Sequence, residues 1–289
     1  MGAIASWALT VNLLARTIHT DPPTDDDLRQ LVQKATDGCV NIFVDAGANI
    51  GVHTRFLFEP ARYPRSVYTK IFSRAFGASN DTAHLTCSLG FEPNPRHVKR
   101  HEQLQRAYEQ MGWRYSFFPF ALGTNTSEEL VFYENALIAA GAKNEYWGFS
   151  RTSRMHENQT EVRVPSVSFE TVLAQIGKRR LPSDQHHPCV VVKMDIESSE
   201  FAVVPQVMMT GSLCRVVNYI SVEWHERFAP IRYHPNQHLA LQTHHQAHHA
   251  KSLLKATMAD GGYAGGCLTS MVEIDDETYI HDGVPLPVP

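Results

Sequence analysis

The chain has 289 residues, 43% of them hydrophobic and 19% charged, which is enough apolar material for a full core and excludes disorder throughout. A formal net charge of -4 without a clustered basic face gives no reason to expect a nucleic-acid partner, since phosphate binding draws on grouped Lys and Arg. Five scattered cysteines, Cys39, Cys87, Cys189, Cys214 and Cys267, form no C-x-x-C pair. They read as buried thiols in a reducing compartment, which makes the cytoplasm the expected location.

Residues 1–39 are expected to form an N-terminal helical extension. Ala3 to Ala15 is apolar but lacks a basic n-region and is too short to span a bilayer, so it reads as an amphipathic docking helix and no membrane span is expected. Thr24 caps a helix running over Leu28 to Lys34. Val40 to Val44 is a buried strand ending at Asp45, and Gly47 and Gly51 punctuate the turn after it. Val52 to Phe58 then suits a helix, interrupted at Pro60 and Pro64, with a second helical stretch up to about Phe76 and a loop over Gly77 to Asp81. A strand over His84 to Phe91, a helix over Arg96 to Met111 and a strand over Tyr115 to Leu122 follow.

From Thr124 to Ser168 the pattern changes to an antiparallel insertion, with short strands at Glu129 to Glu134 and Glu161 to Val167. After it come a helix over Phe169 to Ile176, a basic loop over Lys178 to Pro188, a strand over Cys189 to Met194, a helix over Ser199 to Met209 and a strand over Val216 to Val222. A long polar helix over about Asn236 to Ala259, final strands near Cys267 to Met271 and Thr278 to His281, and a frayed tail over Pro285 to Pro289 complete the chain. The alternation predicts an α/β fold: a mostly parallel sheet covered by helices on both faces, with residues 40–289 as one domain.

The first strand and its turn read D-x-G-x-N-x-G, neither G-x-G-x-x-G nor a phosphate-binding P-loop. Glu92, at the end of the second strand, can accept both hydroxyls of a ribose without a pyrophosphate cradle beside it. A nucleoside-bearing cofactor without a diphosphate fits, and S-adenosylmethionine is the obvious one, its cationic groups favouring the carboxylate end supplied by Asp45.

Three segments carry a family resemblance: Phe43 to Gly51 with Thr54, Gly90 to Pro95, and Val192 to Glu197 with Glu200. In this order they resemble the FkbM-type family of S-adenosylmethionine-dependent methyltransferases over roughly Val40 to Trp224. The resemblance implies a class I methyltransferase (Rossmann-like) fold whose last strand runs antiparallel, and O-methylation of a hydroxyl. It places Asp45, Gly47, Asn49, Gly51 and Thr54 around the methionine part of the cofactor, Glu92 on the ribose with Asn94 in the same motif, and Phe120 to Gly123, hence Ala121, near the adenine. The chain departs from the family at Ser198, where glycine is usual, and in a lengthened connection over Pro60 to Asn80.

Lys193, Asp195 and Glu197 alternate at a strand end and are expected to share a face, and Glu223 and His225 repeat the relation on the next strand. His225 is the expected general base, because imidazole titrates in the range that proton removal needs. Asp195 and Glu223 would orient the acceptor or hold a divalent cation, and Lys193 is either a structural ion pair or catalytic. The acceptor is expected to be a small molecule or sugar-like hydroxyl; the oligomeric state is left open.

Two rivals are N-methylation and a non-catalytic metal- or partner-binding protein on the same fold. The second rests on His238, His244, His245, His248 and His249, although without a carboxylate or third ligand they read as a solvated helix face. Asn80-Asp81-Thr82, Asn125-Thr126-Ser127 and Asn158-Gln159-Thr160 match the N-glycosylation pattern, which has meaning only in the secretory pathway.

Overall fold

The computed structural model describes residues 22–135, 149, 159–182, 187–226, 247–256, 267, 269–276, 278–279 and 281–288. The expected docking helix over Ala3 to Ala15 lies outside the described residues, as do His238, His244 and His245. Helix α1 (Asp25–Thr36) begins with a capping box, Thr24 accepting from the Asp27 backbone while the Asp27 carboxylate accepts from the Thr24 N–H. Its Leu28, Val32 and Ala35 are buried in the main core, alongside residues of the sheet.

Strand β1 (Asn41–Ala46) leads into α2 (Val52–Phe58), a 3-10 turn at Pro60–Arg62 and α3 (Val67–Phe76), the break falling where the prolines predict it. The expected loop after Gly77 contains one helical turn, Ser79–Thr82. Strand β2 (Thr86–Phe91), α4 (Val98–Gln110) and β3 (Arg114–Phe118) complete the first half. The expected third strand over Tyr115 to Leu122 is split. Its second part is a separate strand, β4 (Ala121–Gly123), which pairs with β6 (Gln159–Ser168) in another sheet. Strands β5 (Glu128–Asn135) and β6 are antiparallel, as the insertion pattern predicts.

Helix α5 (Phe169–Gly177), β7 (Cys189–Met194), α6 (Glu200–Met209), α7 (Ser212–Val216), β8 (Tyr219–Val222), α8 (247–256) and β9 (Ser270–Val272) follow. The main sheet has the order β3-β2-β1-β7-β8-β9, with every neighbouring pair parallel. This is a mostly parallel Rossmann-like α/β sheet with a small mixed sheet beside it. The last described strand corrects the expectation of an antiparallel one: β9 runs parallel to β8. Residues 278–279, expected in a strand, form a turn that seats Tyr279 against Phe56 and Tyr63.

Chain order reverses between β1 and β7. That is the switch point at which open α/β sheets leave a crevice beyond the carboxyl ends of their strands.

The cysteine reading is also corrected. Cys39 is joined to Cys87 and Cys214 to Cys267, leaving Cys189 as the free thiol. Separations of 48 and 53 residues hide these pairs in the sequence, and parallel pairing of β1 with β2, which sets Ile42 opposite Cys87, brings the first together. No helix among the described residues is long and apolar enough to cross a membrane.

Candidate active site

The strand ends are stitched into one rim by their backbones. The N–H groups of Gly47 and Ala48 donate to the Phe91 carbonyl, Glu92 to Phe118, Asp195 to Ala46, and Glu223 to Met194. Each motif residue therefore leaves its strand at the same level. Above β1, β2 and β7 lies a small cavity of about 40 Å³, lined by Gly47, Glu92, Asp195, Glu197 and Ser199 on its polar side. Phe91, Ala121, Leu122, Phe132 and Phe149 line its apolar side, the last two stacked on each other 4.8 Å apart. Gly47 (φ +77) has no room for a side chain, since a Cβ there would sit 1.7 Å from the Asp195 carbonyl oxygen. This close approach holds the β1 and β7 turns together.

Glu92 bridges the first two turns. One carboxylate oxygen accepts from the Asn49 N–H at 2.7 Å and the other from the Asn94 N–H at 2.8 Å. Burial pushes its carboxyl up to about 8 against the pull of those two donors. Asn49 is held in the left-handed region (φ 48) from below, where its carbonyl accepts from His101 Nε2 at 2.7 Å. That fixes the tautomer: His101 Nδ1 is the acceptor for the Tyr115 hydroxyl, also at 2.7 Å, and burial keeps the ring neutral with a pKa of about 3.

Lys193 is the hub between the two turns. Its Nζ donates to the Gly47 carbonyl at 2.8 Å and to Asp195 at 3.0 Å, and lies 3.9 Å from Asp45. Burial works to lower its pKa, but Asp195 and Asp45 hold the ammonium above its ordinary range. Asp45 is itself fully buried, and desolvation carries its carboxyl up to about 7 despite Lys193.

Beside Asp195 stands the second cluster. His225 Nδ1 meets Glu200 Oε1 at 2.9 Å, while Nε2 lies 3.3 Å from Glu223 and 3.7 Å from Asp195. Glu200, wholly buried at the start of α6, also accepts from the Ile196 N–H at 2.9 Å. Burial alone would lower the His225 pKa. Its hydrogen bonds to Glu200 and Glu223, with Glu197 nearby, carry it up to about 12 instead.

The family model for the methyltransferase FkbM domain matches residues 45–255, spanning the cavity and both clusters. The chain belongs to the FkbM methyltransferase family. No curated protein and no solved structure matches it.

In this FkbM methyltransferase the sequence-predicted residues divide into two layers. Gly47, Glu92, Ala121 and Asp195 line the cavity, with Glu223 and His225 converging beside Asp195. Asp45, Asn49 and Asn94 are buried or half-buried around them. Gly51 (φ +81) serves chain direction, the space over it being filled by His101 and Leu104. Thr54 turns its hydroxyl to Ser88 on β2 at 2.8 Å, between helix and sheet, and is not among the cavity-lining residues.

The family uses S-adenosylmethionine, and the residues present fit it. Both Asp45 carboxylate oxygens, Asn49 Oδ1 and Asn94 Nδ2 are buried without a hydrogen-bond partner among the described residues. Each Glu92 oxygen has taken only one N–H, leaving acceptor capacity toward hydroxyls.

Two features escaped the sequence reading: Glu200 as the carboxylate behind His225, and the His101–Tyr115 support under the turn; Glu197, expected on one face with Asp195, stands beside it and His225. The resemblance motif includes Glu200, but its role depends on the turn before α6. That turn runs through Glu197 (φ 51) and Ser198 (φ 78) in the left-handed region, which accounts for the usual glycine at the second position. Of the histidine-rich segment, His248 and His249 are described, both on α8, and His248 lies 3.0 Å from Glu226.

Proposed function

We propose that this methyltransferase places a methyl group on a hydroxyl oxygen of a small-molecule or sugar-like acceptor seated against Asp195, Glu223 and His225. The observation that carries this reading is the Glu200–His225 pair beside the cavity, in which buried Glu200 holds Nδ1 and Nε2 is turned toward Glu223 and Asp195. S-adenosylmethionine, when bound, supplies an electrophilic methyl on a sulfonium. Glu92 would hold its ribose, Asp45 would answer its positive charge, and Ala121 with the phenylalanine wall would cover its base.

Most of the rate would come from alignment of the two reactants for in-line attack, with His225 Nε2 taking the acceptor proton. Lys193 is given a positioning role, because it ties Gly47 to Asp195 and its pKa is raised rather than tuned toward neutrality. In the unliganded rim the carboxylates hold His225 as imidazolium. A positive charge set beside Glu223 competes for that carboxylate and lowers the ring's pKa toward the range of a base.

Two measurements separate the halves of this reading. Calorimetric titration with S-adenosylhomocysteine is expected to show binding that Glu92→Ala abolishes. With labelled cofactor and an acceptor panel, His225→Ala and Glu200→Gln are expected to lower kcat by about 10²–10⁴-fold at unchanged S-adenosylhomocysteine affinity. Full activity in His225→Ala would remove the base assignment.

A metal-assisted version is favoured by one observation: Asp195, Glu197 and His225 each offer a donor atom, all within 4.8 Å of one another. A divalent cation there would polarise the acceptor oxygen. Activity that survives chelation and does not respond to Mg²⁺ or Mn²⁺ would remove it. The excess of carboxylates also suits an amine acceptor, and the same panel decides between nitrogen and oxygen.

A further inference from the structure

The glycosylation pattern acquires meaning once the cysteines are found joined. Cys214 lies in α7 immediately before β8, and Cys267 stands just ahead of β9. The bridge is built into the fold: Thr269, two residues on and buried, donates to the carbonyls of Val217 at 2.7 Å and Leu213 at 3.2 Å. With Cys39–Cys87, four of the five cysteines are consumed in buried or partly buried bridges. Cystines of this kind persist where thiols are kept oxidised, the same compartments in which asparagine is glycosylated.

The three pattern matches are not equivalent. Asn80 sits inside the helical turn Ser79–Thr82, and Asn158 is outside the described residues. Asn125 and Ser127 are both exposed in the turn between β4 and β5. The turn is held by its backbone and by Thr126. The Asn125 carbonyl accepts from Ser166 Oγ at 3.2 Å, Thr126 Oγ1 accepts from the Ser168 N–H at 3.1 Å, and Ser127 adopts φ 66. Among the described residues the Asn125 side chain makes one hydrogen bond, Nδ2 donating to exposed Glu128 at 2.8 Å, which solvent can replace. Its place also spares the site, since Ala121 at the start of β4 lines the cavity, whereas the turn leaves the strand's other end and touches Pro23 through Ser127.

We propose that Asn125 is an N-glycosylation site and that the chain matures in an oxidising, glycan-adding compartment. In the modification, Asn125 Nδ2 forms a C–N bond to the anomeric carbon of an oligosaccharide carried on a lipid pyrophosphate. The C–O bond to the pyrophosphate breaks, the pyrophosphate keeps the electron pair, and the amide gives up one proton. Each cystine forms as its two thiols pass two electrons and two protons to a disulfide oxidant.

The test uses the full chain expressed in eukaryotic cells and purified without reductant, with intact mass taken before and after peptide-N-glycosidase. A mass loss is expected, with Asn125 converted to Asp in the digest and the loss abolished in both Asn125→Gln and Ser127→Ala. Alkylation without reductant is expected at Cys189 alone. An unmodified Asn125, an undiminished mass loss in Asn125→Gln, or alkylation of Cys214 and Cys267 without reductant would each overturn the proposal.

Discussion

Asp282 carries the sharpest energetic prediction. Its side chain is fully buried and accepts from Arg55 Nη1 at 2.6 Å, from the Tyr63 hydroxyl at 2.7 Å and from Arg100. Arg55 is equally buried. Glu59 holds it on its other edge at 2.9 and 3.0 Å, and the carbonyls of Val284 and Pro285 each accept from it at 2.8 Å. Because Arg100 also donates to the Ile50 carbonyl at 2.9 Å, the network straps the C-terminal segment to the cofactor turn.

Asp282→Ala leaves a guanidinium in the core with one of its two carboxylates missing. Breaking a buried pair from one side costs about 3–5 kcal/mol. At roughly 2–4 °C per kcal/mol for a domain near this size, the melting temperature is expected to fall by about 10 °C. Replacing both partners, Arg55→Met with Asp282→Leu, removes the guanidinium, while Glu59 keeps Arg62 at 3.3 Å and the Tyr108 hydroxyl at 2.7 Å, and is expected to recover about half of that loss. Denaturant unfolding of the single and double variants reads both numbers. A loss below about 1 kcal/mol in Asp282→Ala, or a double variant as unstable as the summed singles, would show that the network does not hold the segment as argued.

Ser198→Gly is expected to be neutral or stabilising by up to about 1 kcal/mol, since relief of a left-handed φ is partly offset by the freer unfolded chain; an equal loss would contradict the strain at φ 78. Reduction of Cys214–Cys267, or Cys214→Ala with Cys267→Ala, is expected to cost about 4 kcal/mol from loop closure across a 53-residue separation, read as a lower denaturant midpoint. In the cofactor-free protein Asp45 and Glu92 are expected to contribute stability that falls away as pH rises from about 4 to about 8, against the opposite slope of the buried neutral His97 and His101 below about 6.5. Asp45 and Glu92 have folded pKa values raised to about 7 and about 8, so the folded state holds the extra protons across that window and loses the advantage above it. Melting curves of Asp45→Asn with Glu92→Gln should lack that slope.

The framework was readable because it rests on local rules. Alternating apolar runs and punctuating Gly and Pro located β1, β2, β7 and β8 and the break between α2 and α3, and the strand ends located Glu92, Asp195, Glu223 and His225. The losses came where tertiary context decides. Tyr115 to Leu122 is one apolar run, yet after Phe118 the chain leaves one sheet for another, and periodicity carries no sign of that. Thr54 has the right spacing for the cofactor but lies over Ser88, a residue outside every motif. Cystine pairing depends on which strands become neighbours, which no spacing of scattered cysteines reveals.

Strain and unmet polar groups coincide at one place in this fold. Of the described non-glycine residues with positive φ, Asn49, Glu197 and Ser198 belong to the two turns around the cavity, and Gly47 joins them in a contact that tolerates no side chain. The oxygens of Asp45 and Asn49 that lack a hydrogen bond among the described residues lie in the first of these turns, above a support of His101, Tyr115 and Lys193 that is itself hydrogen-bonded. A surface optimised only for stability would relax the turns and satisfy the groups. Rigid support beneath an unsatisfied, strained upper layer is what a preorganised binding site requires, because the ligand then supplies the missing partners without the protein reorganising to meet it. By that reasoning the free energy withheld in the unliganded fold should return on binding, and cofactor affinity should depend on His101 and Tyr115 although neither lines the cavity.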